Sequence, residues 1–200
     1  MSTPLLQRVT LEGRHVRLEP LDRHHVDPLA EVGLDPEIWL WSPEPVRTRA
    51  DIRAYVEAAL DGRRLGTMLP FATVVRDSDT VVGSTRFGAI DLHHRRVEVG
   101  WTWIAPTWQR TVVNTEAKLL MLAHAFEALG CQRVELKTDA LNERSRSAIT
   151  RLGAMQEGFF RKHMVTTSGR VRDSVYFSIV DDEWPRVRAR LEAKLAEHDG

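Results

Sequence analysis

The chain has 200 residues, 42% of them hydrophobic, with 28 Lys plus Arg against 28 Asp plus Glu. That length suits one sizeable core, and we expect a single domain over residues 1–200. The balanced charge gives no argument for nucleic acid or an anionic membrane as partner, so any anion site must be local. The single Cys131 excludes an internal disulfide framework and fits a reducing cytosol. No 18-residue apolar run is present, and Met1 to Arg8 lack the basic flank and apolar centre of a signal peptide. The expected location is cytoplasmic.

A strand around His15–Glu19 is followed by a turn at Pro20-Leu21-Asp22 and then by helical patterning. Trp39, Trp41, Pro43 and Pro45 fall in an irregular aromatic connection. Thr48 stands three residues before Asp51, and Ile52, Tyr55, Val56 and Ala59 recur at helical spacing, which predicts a helix from Arg49 to Arg64. Strands follow at Phe71–Arg76 and Val81–Ala89 around the turn Asp77-Ser78-Asp79, and a third at Val97–Ile104. The pattern then alternates: helix Thr115–Leu129 ended by Gly130, strand Arg133–Thr138, and a helix capped by Asn142 and closed by Gly153. Strands Gln156–Val165 and Val171–Val180 form a hairpin across Thr166–Arg170. A last helix puts Trp184, Val187, Leu191 and Leu195 on one face, either against its own domain or as the seam of a homodimer. An antiparallel first half with one strand-helix-strand crossover predicts an α/β (mixed α+β) fold, a mostly antiparallel sheet of about seven strands with helices on both faces.

Two places carry candidate chemistry. Regular alternation in Val97–Ile104 would send Val97, Val99, Trp101 and Trp103 to one face and Glu98, Gly100, Thr102 and Ile104 to the other. Glu98 then stands among small neighbours with room for a ligand, unless Gly100 marks a bulge and Glu98 pairs with Arg86 or Arg95. The turn Gln109–Asn114 feeds a helix whose first N–H groups lack intrahelical partners, a setting that suits phosphate. It has neither the Gly-x-Gly-x-x-Gly of a dinucleotide fold nor a P-loop Gly-Lys-Ser/Thr. His24-His25 and His93-His94 lack carboxylate or Cys company in the sequence, so no metal is expected. Cys131 has no cue for an activated thiolate.

Pro106-Thr107-Trp108-Gln109-Arg110-Thr111-Val112-Val113-Asn114-Thr115-Glu116-Ala117, preceded by Glu98-Val99-Gly100-Trp101 and followed by Asn142-Glu143-Arg144-Ser145 and Leu152-Gly153-Ala154, resembles the GCN5-related N-acetyltransferase (GNAT) superfamily. Within it the chain is most similar to the ribosomal-protein (Rim-type) N-acetyltransferase branch, over about Gly13 to Val180. The resemblance implies acetyl-CoA as donor and a primary amine, a protein N-terminus or a small molecule, as acceptor. It implies that Gln109, Arg110, Thr111, Val112, Val113 and Asn114 hold the pyrophosphate, and that Trp103 and Ile104 pair their backbone with the pantetheine arm. Asn142 would contact the pantetheine, and Trp39 and Trp41 would wall the acceptor site.

Two departures stand out. Val112 and Asn114 occupy positions where the family motif usually has Gly, or Gly or Ala; a negative φ at Val112 would keep the cost small. Ile149, seven residues after Asn142, replaces a Tyr that reprotonates the leaving thiolate in many members, and Ser145 is the expected substitute. The implied mechanism is direct attack of a neutral amine on the thioester, with a backbone N–H polarising its carbonyl. Deprotonating an α-amino group of pKa ~8 at pH 7 costs about 1.4 kcal/mol, a lysine of pKa ~10.4 roughly 4.6 kcal/mol. Glu98, acting through water, is the expected base, with Glu157 as competitor. Alternatives are a noncatalytic acyl-CoA-binding module and a transferase using a larger acyl-CoA such as succinyl-CoA.

Overall fold

The computed structural model describes residues 7–198, so most of the N-terminal stretch read for a signal peptide lies outside it. In chain order it contains β1 (Leu11–Glu12), β2 (Val16–Pro20), α1 (Val26–Val32), α2 (Pro36–Trp39), α3 (Arg49–Arg64), β3 (Leu69–Val75), β4 (Thr80–Asp91) and β5 (Arg96–Ile104). There follow α4 (Val112–Ala123), β6 (Arg133–Asp139), α5 (Glu143–Leu152), β7 (Met155–Val165), β8 (Val171–Val180) and α6 (Trp184–Ala196). The eight strands form one sheet in the order β1-β2-β3-β4-β5-β6-β8-β7. All neighbours are antiparallel except β5 and β6. The strand beyond the expected seven is the two-residue β1, too short to leave a periodic signal. Among the described residues no helix is long and apolar enough to cross a membrane.

Local chemistry accounts for several element ends. Thr48 and Asp51 make a reciprocal capping box, and α3 runs over the predicted Arg49–Arg64. Gly153 closes α5 with φ +110°, a left-handed conformation open to glycine. Two expectations need correction. Trp39 ends a one-turn helix begun by the Asp35 cap and Pro36 rather than lying in irregular chain. The long helix starts at Val112, because Thr111 caps it, and turns into a π-helix over His124–Ala128 before Gly130.

Helices α4, α5 and α6 cover one face of the sheet, burying Val113, Met121, Ile149, Leu152, Trp184 and Leu191 against Val97, Val99, Leu136 and Phe177. Thus α6 packs its apolar face on its own domain. Helices α1 and α3 cover the opposite face over β3, β4 and the Trp103 end of β5, where Leu29, Ile52, Val56 and Ala72 gather around Trp39 and Trp103. Beyond β5 that second face is open.

The regular alternation expected in β5 is broken. The β4–β5 register slips between Ser84 and Arg86, and Trp101 adopts φ +50°. This β-bulge puts two successive residues on one side and reverses the alternation after it. Glu98, Trp101 and Trp103 consequently share the α1/α3 face, while Val97, Val99 and Thr102 face α4. The Trp101 ring lies over Gly88, where a Cβ would meet it at 2.4 Å.

Two charged groups sit inside the α4 layer. Glu116, 4% exposed, accepts the backbone N–H groups of Arg14, His15 and Val16 at 2.8, 2.8 and 2.6 Å, so one carboxylate holds the β1–β2 turn. Gly13 is needed there, because a Cβ would stand 2.4 Å from the Glu116 carboxyl carbon. Lys118, 8% exposed, donates to Thr102 Oγ1 at 2.6 Å, and burial pushes its ammonium down to about 7.

Each makes a prediction. Glu116→Ala removes the acceptor of three backbone donors, that of Val16 buried, and is expected to cost ~2 kcal/mol or more in urea unfolding; a loss within about 0.5 kcal/mol would refute the anchoring role. A lysine titrating lower when folded than unfolded penalises the native state fully below about 7, and the penalty fades as pH rises towards 10.5. Its size is on the order of 5 kcal/mol. Stability should therefore climb through that window in the wild type, and Lys118→Met should flatten the climb in the same unfolding series.

Candidate functional site

Strands β5 and β6 are paired only at Arg96–Arg133, Val97–Val134 and Glu98–Glu135. Past Glu98 the two diverge, leaving Gly100–Ile104 without a strand partner on that side while β4 holds the other. Such an unpaired strand edge can take an extended ligand as an added strand. Trp103 and Ile104 lie on this open stretch with their side chains buried.

The wide end of the gap is flanked by two helix N-termini. At α4, Thr111 Oγ1 accepts the Val113 N–H at 3.3 Å, and the N–H groups of Val112 and Asn114 have no intrahelical acceptor. The one left-handed residue of this turn is Arg110, φ +63°; Val112 is the first helical residue and keeps a negative φ. At α5, Asn142 Oδ1 accepts the Ser145 N–H at 3.0 Å, which places Ser145 in the first turn. Gln109 braces the two: its amide donates to the Ile104 carbonyl at 2.9 Å and accepts from Arg144 at 2.8 Å. Gln109 and Thr111 therefore spend side-chain groups on shaping the turn, which leaves backbone N–H groups with partial positive charge as donors suited to an anion.

Glu98 marks the closed end of the gap. Its carboxylate, 5% exposed, pairs with Lys137 of β6 at 2.9 Å, a partner not foreseen, rather than with Arg86 or Arg95. Lys137 was findable by parity: Arg133, Glu135, Lys137 and Asp139 alternate with the buried Val134, Leu136 and Thr138. Glu98, Lys137, Glu135, Glu157 and Tyr176 line a cleft of about 470 Å³ on the open face. Glu157 is differently placed. The Arg133 guanidinium, helped by the Ser178 hydroxyl, pulls its carboxyl down to about 2 against a smaller opposing effect of burial. A carboxylate that acidic is a poor proton acceptor near neutrality.

Two distant segments meet near the Asp139 end of β6. Thr167 donates its N–H and hydroxyl to the Pro43 carbonyl at 3.0 and 3.1 Å, tying the β7–β8 turn to the α2–α3 connection. Asp139, 1% exposed, binds Arg170, whose guanidinium lies 5.7 Å from the Trp41 ring. Trp41 thus stands at this junction, whereas Trp39 is 6% exposed, donates to the Gly33 carbonyl at 2.7 Å and packs on Trp103 in the core. Tyr55 donates to the Trp101 carbonyl at 3.1 Å, which steadies the bulge.

The histidine pairs were expected to lack carboxylate company, and one does not. Glu19, His24 and His25 bring ligand atoms within 4.8 Å of one another, because β2 and the turn after it fold side by side. Both His25 nitrogens are already engaged, Nδ1 by the Asp22 N–H at 3.0 Å and Nε2 with Glu19 at 3.1 Å. This set fits a structural hydrogen-bonded turn better than a metal ion. Burial raises the Cys131 thiol, which opposes thiolate chemistry there.

Comparison with known proteins fits this geometry. The family model described as an acetyltransferase (GNAT) domain matches residues 15–155. A GCN5-related N-acetyltransferase from Brucella melitensis is 34% identical with a TM-score of 0.86, covering 94% of this chain and 85% of its own. Mycobacterium smegmatis RimJ in complex with CoA-disulfide shares the fold, at 22% identity and a TM-score of 0.76 over 90% of this chain and 88% of its own. The N-acetyltransferase p20 of Bacillus licheniformis, itself uncharacterised, is 24% identical over 88% of this chain and 98% of its own length. With a parted strand pair, two helix N-termini at its mouth and a match over residues 15–155, this chain belongs to the GNAT family of acetyltransferases.

Proposed function

We propose that the chain transfers the acetyl group of acetyl-CoA to a primary amine, of a protein N-terminus or a small molecule, by direct attack. The observation that carries this reading is that β5 and β6 part immediately after Glu98. A pantetheine arm running down the open edge of Gly100–Ile104, with its pyrophosphate on the N–H groups of Thr111–Asn114, would bring its acyl end to a buried carboxylate. Val112 is compatible with this role because its φ is negative. Asn142 has its Oδ1 in the helix cap, and its NH₂ points to a role on the pantetheine side.

In this reading the amine enters from the open face past Trp41, and Glu98 removes its proton through a water while Lys137 holds the carboxylate in place. The neutral nitrogen forms a bond to the thioester carbon as a backbone N–H near Trp101 polarises the carbonyl. The C–S bond breaks, the now cationic nitrogen sheds its second proton, and the Ser145 hydroxyl relays that proton to the sulfur. Glu157 remains a structural partner of Arg133. The M. smegmatis RimJ likeness is one of fold; a ribosomal-protein N-terminus is one acceptor to include in a screen.

Two measurements test this. Calorimetric titration with acetyl-CoA is expected to give a micromolar Kd, about −8 kcal/mol; folded protein with no detectable binding would sink the acetyl-CoA reading. With a responsive amine in hand, Glu98→Gln should lower kcat ~100-fold for a lysine-like acceptor and less for an α-amine, with acetyl-CoA affinity held within about threefold. Equal losses for both amines, or a loss confined to KM, would remove Glu98 as base.

A further inference from the structure

Arg86 has no counter-charge. It sits on β4 opposite Gly100, on the same face as Glu98, and is 2% exposed. Its guanidinium lies 4.4 Å from the Tyr55 ring centroid and 5.4 Å from that of Trp101. Stacking of this kind satisfies the two flat faces of the guanidinium. The N–H donors lie in its plane, however, and point between the rings. Nε and Nη2 have no acceptor, and Nη1 has only Met68 Sδ at 3.6 Å.

The contrast with its neighbours is informative. On the same side of the sheet Arg96 faces Asp91 and Glu135, Arg133 faces Glu135 and Glu157, Lys137 faces Glu98, and Arg170 and Arg172 face Asp139. Arg86 is as deeply buried as any of these, yet among the described residues no carboxylate lies within 4.0 Å of it. A buried, fixed charge without a partner is among the costlier arrangements in a protein, and one beside a cleft is a candidate to receive an opposite charge from a ligand. The planar fork of an arginine matches a carboxylate in particular.

Position then narrows the ligand. Gly88, two residues along β4, pairs with Glu98, so Arg86 and Glu98 are diagonal neighbours on adjacent strands. The side chain between them is Trp101, 41% exposed and seated on the left-handed residue of the bulge. Displacement of this one ring would be needed to open Arg86 to the space where the reacting atoms would meet. We infer that Arg86 is a carboxylate-reading site beside the reacting centre, and that one of the two reactants carries a carboxylate a few bonds from the carbon or nitrogen that reacts. The inference rests on the transferase reading above. Two sources share this chemistry: an amine acceptor of the amino-acid type, or an acyl-CoA whose chain ends in a carboxylate.

The experiment separates them. Initial rates are measured with acetyl-CoA on α-amino acids against their α-amides, and with succinyl-CoA against butyryl-CoA on one common amine. One arm is expected to favour the carboxylate by ~30-fold or more in kcat/KM, and Arg86→Gln should cut that preference to about threefold or less while sparing the uncharged congener. Preference in the first arm assigns the carboxylate to the acceptor, in the second to the donor. No preference in either arm, or a preference that survives Arg86→Gln, overturns the inference. Calorimetric titration of the wild-type protein with succinate and with succinamide needs neither turnover nor a folded variant. Saturable binding of the acid alone is expected, and equal or no binding of both would count against Arg86. Should no amine release CoA from any donor while succinate still binds, the transferase reading fails and the anion site stands.

Discussion

A strand can offer its backbone to a ligand only if its neighbour moves away, and that single constraint organises this molecule. β5 is held on one side by β4 through most of its length and released on the other after three paired positions. Left open to water alone, such an edge would invite pairing with another chain. Here the edge is embedded, with α4 on one face and the Trp39–Trp103 cluster on the other. The bulge at Gly100 and Trp101 turns β5 out of the plane in which it would continue to match β6. Tyr55 and the Gly88–Trp101 contact hold that bulge from the open side, and the Lys118–Thr102 bond holds it from the helix side.

Charge is distributed around this gap according to what each side must do. At its wide end no acidic side chain enters the first turn of α4, so that helix N-terminus keeps its partial positive charge, whereas α5 carries Glu143 in its first turn. At its closed end Glu98 is paired but not smothered: one lysine, partly exposed, sits against one oxygen. Glu157, gripped by an arginine fork and a hydroxyl, has been made too acidic to take a proton. The two carboxylates face the same cleft with different burial and different partners, and environment generally sets the role of acids that share a site.

Much of the fold is legible in the sequence wherever the signal is local. The capping box at Thr48 and Asp51, the turns at Asp77–Asp79 and Thr166–Arg170, and the stop at Gly153 each rest on a few adjacent residues. What was not legible depends on contacts between segments. A bulge is a mismatch between two strands, so alternation counted along β5 alone put Trp101 and Trp103 on the wrong face. Trp39 reads as a binding aromatic until Gly33 and Trp103 are seen to enclose it. Glu19 and the histidine pair, like Glu98 and Lys137, become neighbours only through chain pairing. Arg86 was legible only as a partner for Glu98, and the fold leaves it, among the described residues, without a carboxylate.

The turn before α4 shows why a motif should be read as geometry rather than as letters. Glycine at such a turn is useful for two reasons: it permits a left-handed φ, and it lets a phosphate approach the backbone closely. In this chain the left-handed residue is Arg110, two places before the valine that replaces the glycine. The Gln109 brace between the Ile104 carbonyl and Arg144 fixes the path on the near side, and the Thr111 cap fixes it on the far side. With those supports the helix begins at Val112 in ordinary conformation, and its N–H groups face outward as any helix start would present them. The first glycine function has moved to another residue, and the second is met so far as the Val112 Cβ stands clear of the anion. Substituting Val112 would then be felt chiefly through steric access, leaving the backbone path of the turn as it is.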